Sequence, residues 1–424
     1  MTRMPSKVAG LLFCSGLTAL IYQTIWSRQF RLIFGSSTYA TAAVLAIFMG
    51  GLGVGSLLLG KRADGKARPL EFYGNLELAI AVTAALSQPL LWMAGAVYVA
   101  LGGSAALGLG GASAVRLVLA AIVIGVPTFL MGGTLPAAAR AIETGDDVRR
   151  RRVAVLYAAN AVGAVAGALL STFWMVEKFG NSKTLLMAAL VNLFVGFLAR
   201  AAARREKPPK KSAVQTRADG AGTPVPPRFV FAASAVTGFA FLLMEMVWYR
   251  MLTPLLGGTT FMFGLVLAIA LLGIGTGGAA YSFWRSDRAA SAAAFALTCA
   301  LEAAAMALPF ALGDRLAVFA NSLQPRGLVS FGGQVLSWSL VTLITVFPAA
   351  FVSGIQFPLL IGLLGRGRDK VGRDVGAAYA WNTAGAIAGS LAGGFGLMQL
   401  LSAPGCWRLV IALLAALAVG TVVL

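Results

Sequence analysis

The sequence predicts an all-α polytopic membrane protein with about twelve transmembrane helices, arranged as two parallel six-helix repeats. Of its 424 residues, 58% are hydrophobic and only 12% are charged, and the mean hydropathy is +0.83. A soluble domain carries about 25% charged residues, so this composition is not that of a water-exposed surface. A shift of 222 residues also places a series of glycines of the first half on glycines of the second. Such a fixed offset indicates a tandem duplication.

Apolar runs of about 20 residues, long enough to cross a bilayer, recur along almost the whole chain. In the first half we predict spans at 8–26, 38–60, 72–101, 115–142, 153–176 and 184–203. In the second half we predict spans at 229–249, 259–284, 289–312, 335–365, 375–400 and 406–424. The segment between them is basic, rich in Pro and Gly, and without apolar periodicity, which is typical of a disordered linker. The predicted domains are 1–203, the linker 204–228, and 229–424.

The duplication can be followed residue by residue. The segment Tyr-Ala-x-Asn-x-x-Gly-Ala-x-x-Gly occurs twice, at 157–167 and at 379–389. Each half contains an even number of predicted spans, so both halves enter the membrane from the same side. The repeats are therefore parallel, as are the two halves of major-facilitator transporters. Further partners at the same offset are Gly16 and Gly238, Trp26 and Trp248, Arg28 and Arg250, Gly35 and Gly257, Gly132 and Gly354, and Pro136 and Pro358.

The net charge of +19 would suggest a nucleic-acid partner if the basic residues formed one patch. Instead, most of the Lys and Arg residues fall in turns on one side of the predicted membrane, including the run Arg149–Arg152 and the linker. The positive-inside rule makes this side cytoplasmic, so both termini and the linker are predicted inside the cell. The expected partner is the lipid bilayer, and no nucleic acid is expected.

The chain contains no histidine, which removes imidazole bases and the commonest metal ligand. Cys14, Cys299 and Cys406 lie in apolar stretches without close spacing, which favours packing over a disulfide or a metal site. We therefore predict no catalytic residues, no cofactor and no metal.

Residues 273–278 fit the dinucleotide-binding pattern G-x-G-x-x-G, but that pattern requires a strand before it and a helix after it. Here it lies inside a predicted span, and its repeat partner, 51–56, breaks the pattern at the last position. Helix packing is the better interpretation, because small residues four apart let backbones approach closely in lipid. The glycines assigned to packing are Gly51, Gly55, Gly273, Gly277, Gly163, Gly167, Gly385 and Gly389.

The turn after the second span, 60–68, reads Gly-Lys-Arg-Ala-Asp-Gly-Lys-Ala-Arg. It resembles a degraded form of the major-facilitator turn motif, in which Gly, Asp and basic residues lock neighbouring helix ends. An acidic residue paired with basic ones at helix termini can latch one conformation. The candidates for a cytoplasmic latch are therefore Asp64, Lys66 and Arg68, with Asp287 in the corresponding turn of the second half. A plain basic turn on the cytoplasmic side is the alternative.

Ionisable residues inside the spans carry the functional hypothesis, because a charge in hydrocarbon is costly and usually functional. Glu245 lies deep in the seventh span, and its repeat partner is Gln23. Glu77 and Glu302 each follow Leu in the third span of their repeat, and for both a structural hydrogen bond competes with a transport role. The other candidates, expected to hydrogen-bond across helices or to line that contact, are Asn160, Asn382, Tyr157 and Tyr379.

Three blocks of this sequence resemble a known family, the membrane region of the bacterial fused major-facilitator/spermidine synthases. These blocks are 16–55, Pro127-Thr-Phe-Leu-Met-Gly-Gly-Thr-Leu-Pro136, and Tyr157-Ala-Ala-Asn-Ala-Val-Gly-Ala164. In that family a soluble aminopropyltransferase-like domain commonly follows the membrane region. This chain departs from the family there, because it ends in a predicted span. The resemblance implies a protein of the bacterial inner membrane, either without the enzyme or as a membrane module of a longer protein.

Two functions remain open on the sequence. The first is a transporter that moves a polyamine or another small cationic metabolite by rocking one repeat against the other. The polyamine is what the resemblance implies, and the residues contribute acidic side chains at plausible membrane depth. The second is a non-transporting anchor that holds a soluble aminopropyltransferase at the membrane. An intramembrane enzyme is disfavoured, because without histidine acid–base chemistry has few groups to use.

Overall fold

A computed structural model describes residues 4–34, 38–143, 147, 150–205, 225–283, 290–327, 330–365 and 370–423. Within these ranges every regular element is a helix. The first half contains α1 (Met4–Phe34), α2 (Thr38–Asp64), α3 (Pro69–Ala100), α4 (Gly103–Gly132), α5 (Thr134–Ile142), α6 (Arg151–Leu170) and α7 (Val176–Arg205). The second contains α8 (Pro227–Leu256), α9 (Thr260–Phe283), α10 (Ala292–Ala311), α11 (Gly313–Gly327), α12 (Phe331–Thr345), α13 (Phe347–Leu363), α14 (Val371–Ala392) and α15 (Met398–Val423).

Among the described residues, nine helical stretches are long and apolar enough to cross a membrane, and α12 with α13, bent by 55°, makes a tenth. Two of these stretches, of 54 and 53 residues, would each be about 80 Å long as a straight helix, far more than the roughly 30 Å of hydrocarbon. Each is broken at one residue with positive φ, Gly180 at 71° or Ser402 at 61°. Each therefore crosses twice, which gives the twelve crossings that the sequence predicts.

The duplication is repeated in the three-dimensional contacts. A Cβ added at Gly163 would overlap the carbonyl oxygen of Phe13, and one at Gly385 would overlap that of Ala235. The two contacts are 222 residues apart at both ends. The break at Gly180 and the break at Ser402 have the same offset, as do the π-helical turns Ser171–Met175 and Gly393–Leu397. The remaining glycines assigned to packing also lie against backbone or side-chain atoms of a neighbouring helix: Gly51, Gly55, Gly167, Gly273, Gly277 and Gly389.

The two halves meet along two helix pairs, α2 with α14 and α6 with α9. We call these the α2–α14 seam and the α6–α9 seam. Small residues line the first seam: Gly53 faces Thr383, and Gly60 faces Gly372. Inside each half, α1 packs on α6 and α8 packs on α14, so the seam helices are supported from behind. The seams are where any relative movement of the two halves must occur.

The predicted domain limits stay a prediction, since most of the linker, 206–224, lies outside the described residues. On the predicted outer side, the described structure adds α11, a helix for which the sequence analysis makes no prediction. It packs on α12, where the Ser337 hydroxyl donates to the Leu323 carbonyl oxygen at 3.4 Å.

Candidate functional site

At the predicted cytoplasmic end, Asp64 joins the two halves. Its carboxylate accepts the backbone N–H groups of Gly372 and Arg373, both at 2.8 Å. These are free donors of the first turn of α14, where a helix favours a negative charge. Arg140 at the end of α5 lies 3.7 Å from the same carboxylate. Asp64 therefore caps a helix of the opposite half across the α2–α14 seam.

Next to it lies an ionic cluster that the sequence analysis missed. Arg150 has its guanidinium 3.5 Å from Glu143 and 3.7 Å from Asp374, and it donates to the carbonyl oxygen of Gly365 at 3.3 Å. The side chains of Arg150 and Glu143 are each only 1% exposed. Arg150 also has a left-handed backbone, with φ 55°. We call Asp64, Arg140, Glu143, Arg150 and Asp374 the cytoplasmic lock, because its members come from both halves.

Burial changes the titration of Glu143, which lies just past the end of α5. Removal from water raises the pKa of this carboxyl group to about 7, and the Arg150 guanidinium opposes the rise. The group therefore changes charge near neutral pH.

The α6–α9 seam has its own contact at the same end. Arg151 at the start of α6 donates its Nε to the carbonyl oxygen of Ser282, near the end of α9, at 2.9 Å. A cation at the carbonyl end of a helix is favoured by the helix dipole. In the sequence, Arg151 belongs to a basic run that signals topology, and nothing in that run distinguishes Arg151 from its neighbours.

The other latch candidates make local contacts. Lys66 lies over the ring of Phe72, 5.5 Å from its centre, and Arg68 lies 3.8 Å from Glu71. Neither contact reaches the second half. Asp287 lies outside the described residues.

Deeper than the lock, aromatic rings from both halves meet. The rings of Tyr157 on α6 and Phe357 on α13 are 4.9 Å apart, and those of Phe357 and Tyr379 on α14 are 6.0 Å apart. Tyr157 and Tyr379, which are repeat partners, thus close on the same phenylalanine. Together the lock and this aromatic layer join the two halves at the predicted cytoplasmic end.

The two asparagines lie inside the halves rather than between them. Asn382 donates its side-chain amide to the carbonyl oxygen of Ser234 on α8 at 3.1 Å. Its backbone carbonyl lies against Gly238, and that of Asn160 lies against Gly16 in the same way. These contacts join α14 to α8 and α6 to α1.

Glu245 and Gln23 are half-buried at equivalent positions of α8 and α1. Neither forms a hydrogen bond or an ion pair with another residue in the part of the chain that the structure describes. Glu245 is one helical turn from Leu242, so the two side chains share a face. Leu242 lines a narrow cleft at the α2–α14 seam, in which about 10 Å³ is open to the centre of a water molecule. The cleft is otherwise bounded by Leu45, Ala46, Met49, Ala386, Ile387, Ser390 and Leu391.

Glu77 and Glu302 are fully buried, at 0% and 1% exposure. Asn192 of α7 donates its amide to Glu77 Oε2, and Gln356 of α13 donates to Glu302 Oε2 at 2.7 Å. Each acid lies within its own half and away from the seams. The structure thus separates these two acids from Glu245.

No family model matches the chain. A segment of 193 residues is 31% identical to Polyamine aminopropyltransferase 2 of Streptomyces coelicolor. The matched segment makes up 45% of this chain and 32% of that protein. The similarity thus spans about a third of the length of that relative and is partial.

Solved transporter structures share the fold over nearly the whole chain. A bacterial homologue of the iron transporter ferroportin, in an outward-facing state, has a TM-score of 0.59 at 12% identity and covers 98% of both chains. The human organic anion transporter MFSD10 has a TM-score of 0.56 at 14% identity, covering 98% of this chain and 99% of that one. The fucose:proton symporter FucP of E. coli has a TM-score of 0.53 at 14% identity, covering 98% of both. The chain therefore has the same fold as these transporters.

Proposed function

We propose that this chain is a membrane transporter that moves a small cationic metabolite, a polyamine in the first instance, by alternating access. The observation that carries the proposal is Glu245, an acidic side chain beside the α2–α14 seam that has no partner among the described residues. A carboxylate in hydrocarbon is costly unless a cation pairs with it. A substrate ammonium group would supply that cation.

Two further observations support this choice of substrate. The relative that shares part of the sequence is named for polyamine aminopropyl transfer, and the sequence resembles the membrane region of the fused major-facilitator/spermidine synthases. A polyamine has several ammonium groups separated by methylene chains. An acid beside a mostly apolar cleft matches that pattern of charge and hydrocarbon.

The transport cycle follows from the contacts at the seams. With the termini and the linker in the cytoplasm of a bacterial inner membrane, the lock and the aromatic layer close the inner side. Rocking of 1–203 against 229–424 would break the contacts of Asp64 and Arg151 across the seams. The site near Glu245 would then open to the cytoplasm.

The test is uptake of labelled spermidine into sealed proteoliposomes by the wild type and by Glu245→Gln. We expect saturable uptake by the wild type and at least an about tenfold loss in the variant, the equivalent of about 1.4 kcal/mol of binding free energy. The matched control is Glu177→Gln, since Glu177 is exposed and should transport normally. Unchanged uptake by Glu245→Gln would refute the assignment of that residue.

A second function, a non-transporting anchor for a soluble aminopropyltransferase, is favoured by the size of the cleft. With about 10 Å³ open to the centre of a water molecule, the cleft holds about one water and is far below the volume of a usual ligand site. An anchor predicts no uptake of any amine together with stable co-purification of an aminopropyltransferase. Co-purification that fails after neutralisation of the basic cytoplasmic turns would support the anchor over the transporter.

A further inference from the structure

Buried polar side chains connect α1, α3 and α7 inside the first half. Tyr22 donates its hydroxyl to Asn192 Oδ1 at 2.8 Å, and Asn192 donates its amide to Glu77 Oε2. Tyr73 and Ser15 lie against the same carboxyl group. All five side chains are buried. We call them the Glu77 cluster.

The cluster holds no charge that could balance a carboxylate. No described ion pair includes Glu77. The titratable groups that face it are Cys14 and Tyr22 on α1 and Tyr73 on α3, and α7 contributes the neutral amide of Asn192. Thiols and phenols are uncharged at neutral pH. Burial without a compensating charge disfavours the ionised form of a carboxyl group.

The hydrogen bonds leave room for that proton. In the described structure, Glu77 Oε1 and the hydroxyl group of Tyr73 complete no hydrogen bond. A carboxylate can only accept hydrogen bonds, whereas a protonated carboxyl group donates one. A proton on Oε1 could be donated to the Tyr73 hydroxyl oxygen, and after ionisation the Tyr73 hydroxyl could donate to Oε1 instead. The two atoms can therefore be satisfied in both charge states of Glu77.

The cluster also has an orientation along the membrane. Tyr73 lies one turn from the start of α3 at the predicted cytoplasmic end, and Glu77 lies one turn deeper. Tyr22 lies 18 residues after the start of α1, about 27 Å along the helix axis. It is the chain neighbour of Gln23, the repeat partner of Glu245. The cluster thus runs from near the cytoplasmic end towards the middle of the bundle.

We propose that Glu77 binds the proton that is coupled to transport, an inference that rests on the proposed function. The step is the ionisation of one carboxylic acid: the O–H bond of Glu77 breaks, the proton passes to water, and a carboxylate remains. It requires α1, α3 and α7 to shift enough to admit water. Asn192, Tyr73 and Ser15 then provide the donors for the carboxylate until a proton returns.

The transport test uses Glu77→Gln in proteoliposomes with labelled spermidine. A gradient of about one pH unit can sustain an about tenfold accumulation for each coupled proton. We expect Glu77→Gln to keep exchange of spermidine across the membrane and to lose this accumulation. The matched control is Glu177→Gln, which removes an exposed acid and should still accumulate spermidine. Accumulation by Glu77→Gln equal to the wild type would overturn the proposal.

A second readout does not depend on transport. Infrared spectra of the purified wild type at neutral pH should contain the carbonyl band of a buried, protonated carboxyl group that Glu77→Gln lacks. The exposed variant Glu177→Gln should keep the band. Absence of a difference between wild type and Glu77→Gln would overturn the proposal even if no spermidine moves.

If Glu77→Gln does not fold, a milder variant can test the same proposal. Tyr22→Phe removes only the hydroxyl group that orients Asn192. It should shift the pH midpoint of uptake, and the infrared band should titrate at a different pH. An unchanged midpoint in both measurements would contradict the proposal.

Discussion

Single glycines fix how closely the helices of each half approach. Gly163 and its partner Gly385 sit against carbonyl oxygens of α1 and α8, where any side chain would overlap the backbone. Their spacing in the sequence predicts packing in lipid without indicating the partner helix. The contact of Arg150 with Asp374 could not be found this way, because the two residues lie in different halves of the chain and no local pattern links them.

Gly163→Ala tests the close approach of α6 to α1. The added Cβ would overlap the Phe13 carbonyl, so we expect a loss of about 1–3 kcal/mol in unfolding free energy, as for overpacked cores. The matched control is Gly125→Ala, where a Cβ would meet no atom within 4 Å. That substitution should be neutral or stabilising, because alanine favours the helix. Equal thermal unfolding temperatures in detergent would refute the role of Gly163.

Because Glu143 is buried, we expect the stability of the fold to depend on pH. Burial raises the pKa of Glu143 to about 7, above the ordinary value for Glu, so the native state binds the proton more tightly than the unfolded state. Stability from this group is therefore present at low pH and is lost as pH rises towards and through 7. The thermal unfolding temperature of the wild type should fall across this pH range more than that of Glu143→Gln. Parallel pH profiles would contradict this assignment.

Helix ends and helix breaks determine how the elements are joined. The helices break at Gly180 and Ser402. Both breaks fall in gaps between predicted spans, 177–183 and 401–405, so the sequence predicts the positions of these turns. It does not predict that α14 begins on a carboxylate of α2, since Asp64 and Gly372 are 308 residues apart. The turn motif makes Asp64 a latch candidate but does not identify its partner.

Asp64→Ala tests whether that cap holds the cytoplasmic end closed. Loss of a capping side chain costs about 1 kcal/mol, which shifts the closed population roughly fivefold. Thr383 is 4% exposed at the α2–α14 seam. A cysteine at that position should therefore react faster with a maleimide in the Asp64→Ala background. Glu71→Ala, which removes only a local partner of Arg68, should not change this rate, and equal rates in both backgrounds would argue against the cap.

The whole molecule consists of two copies of one unit with six membrane crossings, joined along two seams. Composition, span count and the 222-residue offset predict this arrangement, because they depend on many residues at once. The volume of the cleft and the joining of the two halves at the predicted cytoplasmic end depend on a few contacts between distant segments. Those features therefore require the structure.

The central claim is that substrate crosses the membrane because the two halves move at these seams. Gly53 and Thr383 face each other across the α2–α14 seam. A Cβ atom added at Gly53 would lie 3.4 Å from the Cβ atom of Thr383. This is close to the roughly 3.5–4.5 Å between the two Cβ atoms of a disulfide. The decisive measurement is spermidine uptake by the double variant Gly53→Cys, Thr383→Cys, oxidised and then reduced in one preparation. We predict no uptake while the disulfide is closed and recovery after reduction, with both single-cysteine variants unaffected by oxidant. Equal uptake in the oxidised and reduced states, with the disulfide verified, would contradict the account.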